Sequence, residues 1–206
     1  MLLEKRSSEE FTTLFYCLGS LQKKNSKLFE ELANKTVLTE VKSQLLKLSY
    51  GNEKQSKALI ELSGQIGDSK PKSEQCKMKL RPVCKVTESL IKRVEKKKTV
   101  SAQDLSKILL TLEFEGGSTQ YLYNQAKTFL FMQKEISQIY GIHLEDFNTQ
   151  ITQIANQVEE HIELLEDIKL KIAQNENNNK KDDVNHPVFR YQSPDSWITP
   201  VSGRED

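Results

Sequence analysis

The stretch LFEELANKTVLTEVKSQLLKLSYGNEKQSKAL, residues 28–59, decides the fold class of this chain. From Val41 to Leu59 one stripe of residues, apolar except for Asn52 and Gln55, recurs at alternating steps of four and three, the spacing of one buried face of an α-helix. An interruption at residues 35–38 separates the end of one helix from the start of the next. A connection this short makes consecutive helices antiparallel neighbours. The stretch therefore predicts a helical hairpin, the first half of an all-α bundle.

The same spacing continues in both directions and predicts an antiparallel four-helix bundle. The four helices are expected at about residues 8–34, 39–66, 101–140 and 145–174, the third opening at Ser101, which resembles a capping residue. A long connection, residues 67–100, joins the second helix to the third, permits a crossover along the bundle, and has room for a short amphipathic helix at 83–97.

The end of the chain differs in composition from the bundle. Residues after Gln174 begin NENNNKKDD, a polar run that buries too little apolar surface to order itself. We therefore expect a bundle domain at residues 1–174 and a disordered tail at residues 175–206, which contains prolines and aromatic residues.

Composition excludes several classes of protein. Hydrophobic residues make up 36% of the chain and charged residues 29%, which suits slender helices, and 8 Gly with 5 Pro are too few for a many-stranded β fold. No apolar run approaches the roughly 18 residues of a membrane-spanning helix, and no secretory signal is visible. The three cysteines, Cys17, Cys76 and Cys84, lack a CxxC spacing, so we expect reduced thiols and a cytoplasmic protein.

Polar residues interrupt the apolar stripe of each predicted helix at about half its length. They are Gln22 and Asn25 in the first helix, Asn52 and Gln55 in the second, Glu115 in the third and His161 in the fourth. Buried polar groups are costly unless they are paired. Their common depth therefore predicts a hydrogen-bonded network or a binding site.

Residues 28–59, together with QVEEHIELLEDI at residues 157–168, resemble the ferritin-like superfamily, in particular its rubrerythrin-type branch. The resemblance extends over about residues 8–173 and implies a ferritin-like four-helix bundle. It also implies a di-iron centre built from one Glu on each of two helices and a Glu-x-x-His on each of the other two. On this chain the six ligand positions fall on Gln22, Asn52, Gln55, Glu115, Val158 and His161.

Only Glu115 and His161 keep a ligand of the type that the resemblance implies. Two iron ions need several carboxylates to balance their charge, whereas Gln22 and Asn52 are neutral and Val158 cannot bind a metal. We therefore expect no cofactor, although Glu115 and His161 could together hold a single iron or other divalent ion.

The function expected on these grounds is that of a non-catalytic interaction or scaffold protein that has lost most of its di-iron ligands. The alternative is a metal-binding oxidoreductase or iron-storage protein of the rubrerythrin type. A third possibility is a helical adaptor unrelated to ferritins, in which the polar residues only set the register of the helices. The sequence contains no P-loop, GxSxG or HExxH motif, so it offers no positive case for an enzyme.

Two segments outside the four long helices are candidates for partner binding. Residues 70–98 contain 11 basic and 3 acidic residues, so they could bind an acidic partner, nucleic acid or lipid headgroups, or simply complement an acidic bundle. They lack the interleaved aromatic residues of a base-stacking surface, and nucleic acid is not the expected ligand. The tail carries Phe189, Tyr191 and Trp197, which could dock on another protein or pack back on the bundle. The sequence also leaves open whether the chain forms a homodimer.

Overall fold

The structure, a computed structural model, describes residues 2–66, 81–114 and 145–181. Within these residues it contains five helices: α1 (Leu2–Lys35), α2 (Thr39–Ile66), α3 (Arg81–Glu95), α4 (Ala102–Phe114) and α5 (Glu145–Lys181). The predicted all-α class is confirmed, and α3 is the short amphipathic helix expected between the second and third long helices.

Helices α1 and α2 form the predicted antiparallel hairpin. The hydroxyls of Ser26 and Ser49 lie 3.2 Å apart near the turn, and Ser63 donates a 2.9 Å hydrogen bond to the carbonyl of Thr12 at the far end. Later residues of α1 therefore contact earlier residues of α2, so the two helices run in opposite directions. The turn itself is closed by the Thr36 hydroxyl, which accepts a hydrogen bond from the Leu38 amide.

Helix α5 packs antiparallel against α2. The side-chain amide of Gln44 donates to the carboxylate of Asp167, and His161 lies directly over Gly51. Both contacts join residues whose numbers sum to nearly the same value, which is the signature of two helices that run in opposite directions. Helix α4 also packs against α5.

Helix α3 rests on α1, and the chain after it is tied to the α1–α2 turn. Lys35 donates to the carbonyls of Val94 and Glu95, which are among the last of α3 and have no partner inside the helix. The amide of Val100 then donates to the carbonyl of Lys35, and the Val37 amide donates to the carbonyl of Val100. These bonds fix where α4 begins.

Apolar side chains from all five helices form one buried core. The largest fully buried members are Leu28, Leu32, Leu45, Leu48, Leu105 and Ile108. None of the helices in the described ranges combines the length and the apolar composition that a membrane crossing requires.

Three details differ from the sequence-based expectations. Helix α1 begins at Leu2 instead of near Ser8, and α5 continues to Lys181 instead of ending at Gln174. Extending an existing helix adds a hydrogen bond for each residue and needs no new nucleus, so polar residues can prolong a helix that the core already holds. Cys17 is disulfide-bonded and 1% exposed, so the expectation of reduced thiols is wrong there. Cys84 is a free, buried thiol.

The described residues do not include several predicted features. The continuation of the third predicted helix beyond Phe114, with Glu115, and the chain after Lys181, with Phe189, Tyr191 and Trp197, lie outside them.

Candidate functional site: a buried polar layer

Five of the six predicted ligand positions lie within the described residues, and all five are buried. Their exposed fractions are 1% for Gln22, 3% for Asn52, 0% for Gln55, 0% for Val158 and 5% for His161. Glu115 lies outside the described residues, so the structure does not place it relative to His161.

The helix registers bring the polar members of this set to one level of the bundle. The contacts of Ser26 with Ser49 and of Thr12 with Ser63 place Gln22 of α1 opposite the part of α2 that carries Asn52. His161 of α5 lies over Gly51, the residue next to Asn52. We call Gln22, Asn52, Gln55 and His161 the polar layer.

Gly51 makes the room that His161 occupies. A Cβ atom built on Gly51 would overlap Nε2 of His161 and would stand 2.8 Å from Cε1. A glycine inside a helix is destabilising by about 1 kcal/mol relative to alanine. We therefore expect another interaction, made possible by the missing side chain, to offset this loss of stability. The missing side chain lets the imidazole enter the interface between α2 and α5.

Burial keeps the His161 imidazole neutral. Loss of hydration lowers the pKa of His161 from 6.5 to about 4, because the protonated ring cannot be solvated in this interface. At neutral pH the ring therefore offers one nitrogen lone pair and one N–H group, and it carries no charge.

The hydrogen bonds of the polar layer are only partly formed between helices. Asn52 donates a 2.7 Å bond to the carbonyl of Leu48 in its own helix. Gln22 accepts from Asn25 at 3.3 Å, and Asn25 in turn accepts a 3.3 Å bond from Thr87 of α3. The side-chain oxygen and nitrogen of Gln55 are both buried and have no hydrogen-bond partner in the part of the chain that the structure describes.

These residues do not fit a di-iron centre. No Asp or Glu whose side chain the structure describes is buried, and within the described ranges no cluster of three or more His, Cys, Asp or Glu side chains could hold a metal ion. Two iron ions need carboxylates to balance and bridge them, and the amides of Gln22, Asn52 and Gln55 are neutral. His161 alone could supply one nitrogen ligand.

Sequence reasoning missed Gly51 as part of this layer. The signal was present, because a glycine stands in the middle of a long helix beside a polar residue of the apolar stripe. The role of Gly51 depends on its contact with His161 of α5, which lies 110 positions later in the chain. A local sequence pattern does not reveal such a contact.

A second candidate site is the outer surface of α3. The two acidic residues of this helix turn towards α1, where Glu88 pairs with Lys24 at 2.5 Å and Glu95 with Lys27 at 2.6 Å. Both ion pairs are substantially exposed, so each contributes little to stability. Their effect is to place the negative charge of α3 on the side that faces α1.

The opposite side of α3 and of the turn after it carries only positive charge. The exposed basic side chains there, which we call the cationic face, are Lys85, Lys92, Arg93, Lys96 and Lys98. None of them forms an ion pair with another residue of the described ranges, whereas the neighbouring Lys97 pairs with Asp104 at 2.9 Å. The apolar residues of α3, such as Leu90 and Val94, are already buried in the core.

Comparison of the chain with protein-family models, with curated proteins and with solved structures finds no match.

Proposed function

We propose that this chain is a non-catalytic interaction or scaffold protein that binds an acidic protein partner through the cationic face of α3. The observation that carries the proposal is the division of charge on α3. Its carboxylates pair with lysines of α1, while its outward basic groups form no ion pair with the residues that the structure describes. A cluster of unpaired charges of one sign attracts a surface of the opposite sign and speeds its association.

The charge of the rest of the chain favours a compact acidic partner over a long polyanion. Residues 70–98 carry a net charge of +8, and the chain as a whole carries +1, so the remaining residues carry −7. A nucleic acid or an extended anionic surface would meet that acidic remainder as well as α3. A protein with a local acidic patch would meet α3 alone.

We further propose that the fold is a ferritin-like bundle with a degenerate metal site. The antiparallel pairs α1–α2 and α2–α5, with α3 inside the connection that leads to α4, agree with a crossover topology. The buried Gln22, Asn52 and Gln55 are near in shape to ionisable ligands but need no metal to neutralise them. In this proposal the polar layer favours one arrangement of the packed helices over other arrangements.

Reversing the charges of the cationic face tests the proposed partner class. The variant Lys92→Glu, Arg93→Glu, Lys96→Glu is compared with Lys42→Glu, Lys47→Glu, Lys54→Glu, a matched control on exposed positions of α2. The probe is a short, fluorescently labelled glutamate-rich peptide that stands for a local acidic patch, with duplex DNA and phosphatidylserine vesicles as competitors. We expect the α3 variant to lose about tenfold or more in affinity, since each exposed pair contributes about 0.5 kcal/mol.

An equal loss in both variants would show a non-specific response to net charge and would contradict the proposal. Tighter binding of DNA or vesicles than of the peptide would also contradict it, in favour of a different partner class. The rival function, a metal-binding oxidoreductase or iron-storage protein, is tested separately by elemental analysis and anaerobic Fe²⁺ titration. About two metal ions per chain, the number in a di-iron centre, would make that rival the better explanation.

A further inference from the structure

A groove runs between α4 and α5 near the C-terminal end of α5. It has a volume of about 410 Å³ and is lined by Leu109 and Leu110 of α4 and by Lys169, Ile172, Ala173 and Asn177 of α5, among others. Leu109 and Ile172 form its buried floor, each 3% exposed, whereas Leu110 is 38% exposed. A volume of this size is in the range that holds a small ligand or a large aromatic side chain.

The chain itself continues from the edge of this groove. Helix α5 ends at Lys181, one turn beyond Asn177, and 25 more residues follow. These residues, 182–206, include Phe189, Tyr191 and Trp197, an aromatic content that solvated segments normally lack. Fifteen residues separate Asp182 from Trp197, and an extended chain of that length reaches about 50 Å. The indole can therefore return to the groove without strain.

A second segment outside the described residues, 115–144, is less suited to cover the groove. Residues 115–144 leave from the end of α4 at Phe114 and re-enter at the start of α5 at Glu145. The groove residues of α5 lie 24 or more positions after Glu145, about 36 Å along the helix. Residues 115–144 leave α4 one turn beyond Leu110, much as residues 182–206 leave α5 one turn beyond Asn177, but residues 115–144 must also reach the start of α5.

We propose that the α4–α5 groove is the docking site of the chain's own C-terminal segment, residues 182–206, with the Trp197 indole seated between the two helices. The groove supplies an apolar floor from Leu109 and Ile172 and the small side chain of Ala173 in its lining. Burial of a tryptophan side chain removes up to about 250 Å² of surface from water, enough to favour a tethered contact. This inference does not depend on the partner proposed for α3.

Trp197 is the only tryptophan, so its fluorescence reports on the groove directly in the full chain. We expect an emission maximum at shorter wavelength than in the urea-denatured chain, together with protection from acrylamide quenching. Both should be lost in Leu110→Asp and in Ala173→Asp, which place a charge in the groove. The matched control is Leu170→Asp, because Leu170 is 61% exposed on α5 and is not among the groove residues. Circular dichroism confirms that each variant stays helical, and Ala173→Asp, at an exposed position, keeps the test valid if Leu110→Asp unfolds.

Three results would overturn the proposal. The first is an emission maximum in the native chain equal to that of the denatured chain. The second is a short-wavelength emission that persists in Ala173→Asp, which would place the indole elsewhere. The third is a short-wavelength emission that disappears on dilution as a dimer dissociates, which would assign the groove to the segment of a second copy.

Discussion

Gly51 and His161 lie 110 positions apart in the chain and are in contact in the structure. Because Gly51 has no side chain, the imidazole of His161 can be buried against α2. Replacing Gly51 with alanine should lower the free energy of unfolding by about 1–3 kcal/mol, because the new methyl group overlaps the imidazole in a packed interface. The effect is opposite to that expected from helix propensity, which favours alanine by about 1 kcal/mol. Urea denaturation measures it.

Gly64 provides the matched control for this substitution, because it lies in the same helix and a Cβ there would meet nothing within 4 Å. Gly64→Ala should raise the free energy of unfolding by up to about 1 kcal/mol. In a His161→Ala background, Gly51→Ala should cost much less than in the native chain. If the two glycine substitutions changed stability alike, the contact with His161 would not be what requires Gly51.

His161 should make stability depend on pH between about 6.5 and 4. Its pKa falls to about 4 in the folded chain, so within this range the unfolded chain binds more protons than the folded one. The free energy of unfolding therefore decreases as the pH falls, by at most about 3 kcal/mol over the whole range. Urea denaturation at pH 7.0 and 5.5 should show a loss for the native chain that is smaller in His161→Gln. Equal losses would mean that His161 does not titrate in this way.

At the scale of single elements, the start of α4 depends on one side chain. The hydroxyl of Ser101 accepts a 3.1 Å hydrogen bond from the Asp104 amide, which has no partner inside the helix. The Lys97 ammonium beside Asp104, with help from Ser101, also holds the pKa of that carboxyl below its usual range. The Asp104 carboxylate therefore stays charged in the first turn, where the helix dipole favours a negative group.

Ser101→Ala should lower the free energy of unfolding by about 1 kcal/mol, the usual loss when a capping hydroxyl is removed. Ser89→Ala is the control, since Ser89 is exposed within α3 and has no hydrogen-bond partner among the described residues. That change should stay within about 0.5 kcal/mol of zero. Thermal and urea denaturation would measure both, and similar values for the two serines would show that Ser101 does not cap α4.

The elements that the sequence predicted well are those with local signals. The ends of α2 follow from the interruption at residues 35–38 and from the four-three spacing after Val41, and the start of α4 follows from its capping serine. The continuation of α5 to Lys181 was missed because residues 175–181 show no apolar periodicity. These residues extend a helix that the packed turns before them have already formed. The disulfide at Cys17 and the place of His161 over Gly51 both depend on distant parts of the chain, which periodicity cannot pair.

At the scale of the whole molecule, the polar layer tests whether the bundle has ferritin-like geometry. Gln22, Asn52, Gln55 and Val158 are each no more than 3% exposed, and they lie on three different helices. The variant Gln22→Glu, Asn52→Glu, Gln55→His, Val158→Glu would restore every ligand that the resemblance implies, together with His161 and Glu115. Without metal its buried carboxylates should destabilise the chain, because each lacks a compensating partner.

If the topology is ferritin-like, Fe²⁺ or Zn²⁺ should restore the stability of this variant at a ratio of two ions per chain. Metal at 100 times its Kd adds about 2.7 kcal/mol, which a thermal-shift titration detects readily. The control carries Asn52→Gln, Gln55→His and Val158→Gln, a similar change in volume without new negative charge, and should not bind a metal pair. Elemental analysis supplies the stoichiometry. If the restored variant bound no more metal than this control, the six positions would not converge, and a helical adaptor unrelated to ferritins would explain the polar layer better.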